Sequence, residues 1–324
     1  MNLSMCVALG ALGAMSGCAA QAPKKPAAPD EIHQLDFWLG DFDVTMHQRG
    51  GVARSHNVAI FNDRVIEENF FYPDGHVGLS WSVYVAKQDQ WRQIWVDSRG
   101  SFLQFVGGQD DEGQMKLTLD VPAGTPKVQK MVFSNITEEG HEWRYYSSTD
   151  GGEHWTETFH TTFERLHFRE LVESKDIPVN PESPCISDEA GQFDFWIGDW
   201  DLDWANGKGT NSIDRILGDC VIRENFAGAG GFAGGSLSMW RPKEKQWRQI
   251  WMDNQGTHLS FAGGWDGEQM VLVSEPPAGA PNGRASRMRW HDIEDDSFVW
   301  TYEGSGDDGA TWKTIWEINY TRRR

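Results

Sequence analysis

Two short segments of the chain place hydrogen-bonding side chains among large aromatic ones. Residues 91–97 have the sequence WRQIWVD, and residues 247–253 repeat it as WRQIWMD. Because side chains alternate between the two faces of a β-strand, one face of each segment carries two tryptophans, a glutamine and an aspartate. An apolar wall with a few polar groups is typical of a small-molecule pocket. The predicted ligand contacts are Trp91, Gln93, Trp95 and Asp97, and in the second segment Trp247, Gln249, Trp251 and Asp253.

Two alternatives remain open for this face. The tryptophans could fill a solid core with no cavity, and Asp97 could cap the turn that follows its strand instead of contacting a ligand. The opposite face carries Ile94, and Ile250 in the second segment. It is too apolar for water alone to cover it, so we expect the other half of the chain or a partner to do so.

One glutamate in each half is predicted to point to an apolar side. Glu68 alternates with Ile66 and Phe70, and Glu224 stands in the same pattern. A buried carboxylate needs a partner, and one interpretation is an ion pair with Arg92, or with its equivalent in the second half. The other interpretation is a ligand-facing carboxyl group with a raised pKa, which could also serve as a general acid–base. We include both glutamates among the candidate ligand-binding residues.

The chain is one unit repeated at an offset of 156 to 158 residues. The recurring pairs of segments are 36–43 with 194–201, 65–70 with 221–226, 91–97 with 247–253, 105–108 with 261–264, and 148–155 with 305–312. This spacing indicates a duplicated domain and not a solenoid of short repeats. We assign residues 31–166 to the first copy, 167–187 to a proline-containing linker and 188–324 to the second copy.

Alternating stretches of five to ten residues, separated by turn clusters, indicate about ten strands in each copy. Sequential antiparallel strands in a unit of this length favour closure, since a closed barrel has no exposed edge strands. The predicted fold class is therefore all-β, with two tandem up-and-down β-barrels that pack against each other. Cys185 and Cys220 have no counterpart in the first half of the chain, and either a disulfide or two separate buried thiols would suit them.

The opening and closing segments of each copy resemble those of a largely uncharacterised bacterial family. Its members open with FDFWIG(D/E)W(D/E) and close with SxDGGxxW before an aromatic-x-Arg end, and the resemblance covers residues 34–166 and 192–324. The family is similar to lipocalins, so the resemblance implies lipocalin-like (calycin) barrels. It also implies that a basic residue of the last strand packs on the opening aromatic residue. The implied contacts are Arg165 with Phe42 or Trp38, and Arg322 with Trp200 or Trp196.

The first thirty residues predict a cellular address. A short apolar run ends in the segment MSGC at residues 15–18, which resembles a bacterial lipobox. We therefore predict a signal peptide at 1–18, lipidation of Cys18, a tether at 19–30, and attachment in the periplasm to the outer membrane by that lipid alone. An ordinary cleaved signal peptide is the alternative. No apolar run reaches the length of about 18 residues that a spanning helix needs.

Charge and missing motifs exclude several classes of function. The net charge of −19 repels phosphate backbones, so no nucleic-acid partner is expected. Phosphate-binding loop, nucleophile-elbow and zinc-protease motifs are missing, and no histidine recurs at equivalent positions of the two copies, so we predict neither a cofactor nor a metal site. Binding of a small apolar or aromatic molecule is the first hypothesis. The alternatives are a non-metal hydratase, isomerase or hydrolase, and a structural or glycan-binding module with filled barrels.

Overall fold

The computed structural model describes residues 29–166, 185–275 and 284–324. The predicted signal peptide and Cys18 lie outside the described residues, as do most of the predicted tether and linker. A short helix α1 spans Pro29–Ile32, and 3₁₀ turns span Asp36–Trp38, Glu189–Gly191, Asp194–Trp196 and Ala229–Gly231. None of the helices in the described part of the chain has the length and apolar character that crossing a bilayer requires.

Twenty strands form two closed barrels of ten strands each, and all neighbouring strands are antiparallel. Barrel 1 consists of β1 (Gly40–Met46), β2 (Val52–Ile60), β3 (Val65–Phe71), β4 (Val77–Val85), β5 (Gln90–Asp97), β6 (Phe102–Gln109), β7 (Met115–Leu119), β8 (Val128–Thr137), β9 (Gly140–Ser148) and β10 (Thr156–Arg165). Barrel 2 consists of β11 (Gly198–Trp204), β12 (Gly207–Ile216), β13 (Val221–Ala227), β14 (Ala233–Arg241), β15 (Gln246–Asp253), β16 (His258–Trp265), β17 (Met270–Ser274), β18 (Ala285–Glu294), β19 (Ser297–Ser305) and β20 (Lys313–Arg322). The predicted pair of tandem up-and-down barrels is confirmed.

Alternation along the strands decides which side chains enter the barrel. In β1, Phe42, Val44 and Met46 are buried, whereas the residues between them are only partly buried. In the last strand, Phe163 is buried and belongs to the same core cluster. The interior of barrel 1 is thus built from every second residue of its strands, as expected for a barrel of this size.

An arginine of the last strand closes one end of each barrel. Arg165 donates hydrogen bonds to the carbonyls of Leu39 (2.5 Å) and Phe37 (2.8 Å), and its guanidinium lies 4.7 Å from the ring centre of Phe42. The arginine packs so tightly that a side chain on Gly40 would lie 2.5 Å from it, at a φ of +119° that also favours glycine.

Barrel 2 repeats this closure. Arg322 donates to the carbonyls of Ile197 (2.8 Å) and Phe195 (3.2 Å), and its guanidinium lies 4.2 Å from the ring centre of Trp200. The predicted contacts between these arginines and the opening aromatic residues are confirmed in both copies.

The two barrels pack against each other through the outer faces of their central strands. Barrel 1 contributes Leu79, Trp81, Ile94 and Val96, and all four are fully buried. Barrel 2 contributes residues of the same character: Leu237, Ile250 and Met252. The prediction that the other half of the chain covers the Ile94 face is confirmed. Strand β4 is buried on both faces for this reason.

One covalent link belongs to barrel 2 alone. Cys185 forms a disulfide with Cys220, with 4.7 Å between the Cα atoms. Cys220 lies in the turn between β12 and β13, so the bond ties the segment that enters barrel 2 to its wall. Of the two alternatives for these cysteines, the disulfide is the one that the structure contains.

Candidate functional site

Barrel 1 contains a cavity of about 460 Å³. Trp38, from the 3₁₀ turn at the closed end, forms part of the wall, and Arg49 of the β1–β2 loop lies at the rim. Half of the lining residues are aromatic, and such walls are usual for sites that take up small organic molecules. The aromatic wall residues include Phe70, Trp95, Phe105, Trp143, Tyr145 and Phe163.

Three of the four residues predicted on β5 line this cavity, namely Gln93, Trp95 and Asp97. Trp91 belongs to the barrel interior but lies nearer the closed end, where it is 2% exposed and its indole N–H donates to Gln34 (3.1 Å). The same division occurs in barrel 2. Gln249, Trp251 and Asp253 line a cavity there, whereas Trp247 is buried against Gln192.

Glu68 lies in the cavity wall at the centre of β3 and is 5% exposed. Its carboxyl oxygens accept hydrogen bonds from the hydroxyls of Ser55 (3.1 Å) and Ser80 (2.9 Å). Burial raises the pKa of Glu68 from 4.5 to about 7, and the two hydroxyls offset only part of that effect. A carboxyl group that is half protonated near neutral pH therefore faces the cavity.

The predicted ion pair between Glu68 and Arg92 is wrong. Arg92 precedes Gln93 on β5 and so points out of the barrel, where it pairs with Asp120 at 2.7 Å. In barrel 2 the equivalent Arg248 pairs with Glu275. The other interpretation, a ligand-facing carboxyl group with a raised pKa, matches the position that the structure gives to Glu68.

The hydrogen bonds around Glu68 suit its neutral form. The Ser55 hydroxyl lies 2.9 Å from the side-chain oxygen of Asn57 as well as 3.1 Å from Glu68. It has one proton, so when it donates to Asn57 it can accept the proton of a neutral Glu68. Asn57 in turn donates to the carbonyl of Trp38 (2.7 Å). The chain of bonds anchors Glu68 to the turn at the closed end.

Asp97 organises the open end of barrel 1. One oxygen caps the following turn by accepting from the backbone N–H groups of Arg99 and Ser101, both at 2.9 Å. The other accepts from the indole of Trp95 (3.2 Å) and lies 3.4 Å from His76. Turn capping, one of the two alternatives for Asp97, is thus present, and the same carboxylate holds the Trp95 ring in the cavity wall.

The sequence analysis did not identify several residues of the site. Tyr72 lines the cavity and stacks on His76, with ring centres 4.5 Å apart and planes at 16°. The guanidinium of Arg49 lies 5.3 Å from the ring centre of Phe159. Tyr72, His76 and Arg49 lie in loops that differ between the two copies, so the repeat gives no signal for them. A comparison of the loops that differ between the copies could have found them.

Barrel 2 keeps the same polar residues around a cavity of about 220 Å³, less than half the volume of the first. The strand pairings show that larger side chains replace smaller ones at equivalent positions. The replacements, barrel 1 first, are Thr161 by Ile318, Phe133 by Trp290, Phe159 by Trp316, and Phe163 by Tyr320. The wider ring systems and the added methyl groups account for the smaller volume.

The chain is similar to a protein of unknown function from the DUF3598 family of Nostoc punctiforme, known from a crystal structure. The match covers 90% of this chain and 99% of that chain, with 9% sequence identity and a TM-score of 0.27. At this TM-score the similarity carries no argument about the site. No protein-family model matches the chain, and no curated protein matches it.

Proposed function

We propose that this protein binds one small apolar or aromatic molecule inside barrel 1. The cavity of about 460 Å³, with aromatic walls and a few inward polar groups, is the observation that carries the proposal. Pockets for small ligands begin at roughly 300 Å³, so the cavity of barrel 2, at about 220 Å³, is small for this role. Gln93, Trp95, Asp97 and Glu68 are the predicted contacts in barrel 1, whereas Gln249, Trp251, Asp253 and Glu224 surround the smaller cavity.

The proposal includes a cellular address. The lipobox-like segment before Cys18 supports an envelope lipoprotein, held to the outer membrane on its periplasmic side by a lipidated cysteine. A protein so placed meets small apolar molecules that enter the envelope. Growth with radiolabelled palmitate tests this part. Label in the wild type and none in Cys18→Ser supports the anchor, and label in neither excludes it.

Titration with N-phenyl-1-naphthylamine, a neutral aromatic fluorophore, tests the binding proposal. We expect one site per chain and a rise in fluorescence as the probe leaves water. The double variant Thr161→Ile/Phe159→Trp gives barrel 1 the side chains of barrel 2 and should weaken binding by about tenfold or more, since it fills the cavity. Thr321→Ile, on the exposed outer face of barrel 2, is the matched control. Absence of probe binding in the wild type would refute the proposal.

Catalysis by Glu68 is the second candidate, and a specific observation favours it. A carboxyl group with a pKa of about 7 in an apolar cavity is suited to general acid–base chemistry. Native mass spectrometry of protein purified from its own host separates the two candidates. A retained molecule that the protein leaves unchanged supports binding. A molecule that the wild type converts and Glu68→Gln does not convert supports a non-metal hydratase, isomerase or hydrolase.

A further inference from the structure

The cavity of barrel 1 exposes a carboxyl group whose protein partners are weak. Among the described residues, Glu68 receives hydrogen bonds only from the hydroxyls of Ser55 and Ser80, and no charged side chain of the protein contributes to its pKa shift. Each carboxylate oxygen can accept two hydrogen bonds, so acceptor capacity remains on the side that faces the cavity. A buried carboxylate of this kind is costly unless a partner is supplied.

Barrel 2 shows how the protein itself satisfies the same carboxyl group. The amide N–H₂ of Asn211 lies 2.7 Å from Glu224 and 3.1 Å from the hydroxyl of Tyr320. The strand pairings place Ser55 and Phe163 at the equivalent positions of barrel 1. Barrel 1 thus lacks the amide donor and the phenol. The Ser55 hydroxyl takes the place of the amide on the same carboxyl oxygen, but it lies at 3.1 Å and has a second acceptor in Asn57 (2.9 Å), so this oxygen of Glu68 has the weaker protein donor.

The surroundings favour a positively charged donor. The rings of Phe70, Tyr72 and Trp95 line the cavity together with Glu68, and the faces of such rings attract cations. The net charge of −19 raises the local concentration of cations near the protein. Of the other charged groups at the cavity, Asp97 has one oxygen occupied by the donors of its turn and the other by the Trp95 indole and His76, and Arg49 is exposed beside Phe159.

We propose that the ligand of barrel 1 carries a primary ammonium group that enters first and pairs with Glu68, attached to an aromatic or alkyl body that fills the aromatic part of the cavity. This rests on the proposed function and narrows its ligand to lipophilic amines. The ammonium group supplies the strong donor that the Asn211 amide supplies to Glu224 in barrel 2.

Three compounds of nearly equal shape test the proposal: 2-phenylethylamine, 2-phenylethanol and 3-phenylpropanoate. Each competes against N-phenyl-1-naphthylamine at about pH 8, where Glu68 is mostly ionised. We expect the amine to bind about tenfold tighter than the alcohol, since a charge-assisted pair replaces a neutral hydrogen bond. Glu68→Gln should remove that advantage and leave the alcohol unchanged. The control, Glu112→Gln in an exposed turn of barrel 1, should leave both affinities unchanged.

If Glu68→Gln folds poorly, a second variant still tests whether the amine pairs with Glu68. Ser55→Asn gives barrel 1 the internal amide donor of barrel 2, and we expect it to weaken the amine about as much while Glu68 is retained. Equal affinity for the amine and the alcohol would overturn the proposal. The proposal would also be overturned if 3-phenylpropanoate bound tightest of the three compounds and the variant Arg49→Gln lost that binding. Either result, with the neutral probe still bound, leaves the proposed function standing, whereas failure of the neutral probe removes both.

Discussion

The two barrels have the same strands, the same closing arginine and the same buried glutamate, yet one is hollow and the other is largely filled. The cavity volumes are about 460 and 220 Å³. Four positions where barrel 2 carries the larger side chain, such as Ile318 in place of Thr161, account for the difference. The topology of a barrel thus permits a cavity, but a few inward side chains decide whether it exists.

The ends of the barrels differ as well. Barrel 1 surrounds its cavity mouth with Tyr72, His76 and Arg49, and the equivalent loop of barrel 2 is a glycine-rich turn followed by Phe232, whose ring lies 6.3 Å from Trp251. Barrel 2 also has the disulfide. Barrel 2 also covers the apolar outer face of barrel 1.

The largest expected effect is on stability, when the equivalent tryptophans of β5 and β15 are removed. Trp251 packs against Phe226 and Phe232, with ring centres 6.0 and 6.3 Å away. Trp251→Ala should therefore cost about 3–5 kcal/mol of unfolding free energy. Trp95→Ala should cost less, about 2–3 kcal/mol, because its ring already faces a larger cavity, and it should abolish probe binding.

Urea denaturation of both variants measures this difference. Ile315→Ala is the control, since that residue is 66% exposed on barrel 2 and its loss should cost under about 1 kcal/mol. Equal losses for Trp95→Ala and Trp251→Ala, with no probe binding in the wild type, would mean that both barrels are simply packed cores. The two barrels would then not differ in whether they hold a cavity that binds a ligand.

The next effect concerns a feature that the barrels share. Burial raises the pKa of both Glu68 and Glu224 from 4.5 to about 7. Between these values the folded state holds more protons than the unfolded state, so stability falls as pH rises from about 4.5 to 7 and stays lower above that. Glu68→Gln and Glu224→Gln should each remove one share of this dependence and stabilise the protein at about pH 8 by about 2–3 kcal/mol.

Denaturation of the wild type and both variants at about pH 5 and pH 8 shows whether the free energy of unfolding falls as the pH rises. The exposed Glu112→Gln serves as the control and should change neither value. If only one of the two buried glutamates shows the effect, the barrels are not equivalent at this position. If both variants are destabilised at the higher pH, the glutamates are ionised and stabilised in the folded state, contrary to their surroundings of hydroxyl and amide groups.

Much of the fold could be predicted from the sequence because repetition and alternation are local patterns. The recurring segments predicted two copies, the turn clusters predicted ten strands in each, and the alternation of β5 predicted which face enters the barrel and that the Ile94 face is covered. The contacts of Arg165 and Arg322 with the opening aromatic residues were predicted from the resemblance to the bacterial family. The partner of Glu68 could not be predicted in this way, because Arg92 is near in sequence but lies on the other face of its strand.

The candidate site was predicted in part. Gln93, Trp95, Asp97 and Glu68 line the cavity, whereas Trp91 continues the same face into the closed end, where the barrel is solid. Alternation identifies a face but not the depth at which a cavity begins. The volume itself depends on the combined shape of side chains from six or more strands, and no pattern within one strand contains that information.

The smallest expected effect distinguishes the two closures. Arg165 lies 4.7 Å from the ring centre of Phe42, and Arg322 lies 4.2 Å from that of Trp200, while both donate to backbone carbonyls of the preceding 3₁₀ turn. Lysine retains the charge but loses the planar fork, so either Arg→Lys change should destabilise the protein.

Trp is the better partner for a stacked guanidinium, so Arg322→Lys should cost about 0.5–1 kcal/mol more than Arg165→Lys. Thermal unfolding of the two variants, with Arg324→Lys at the exposed chain end as control, measures the difference. A larger loss for Arg165→Lys would show that the carbonyl bonds and not the ring set the strength of the closure, since its bond to Leu39, at 2.5 Å, is shorter than all three carbonyl bonds of Arg322.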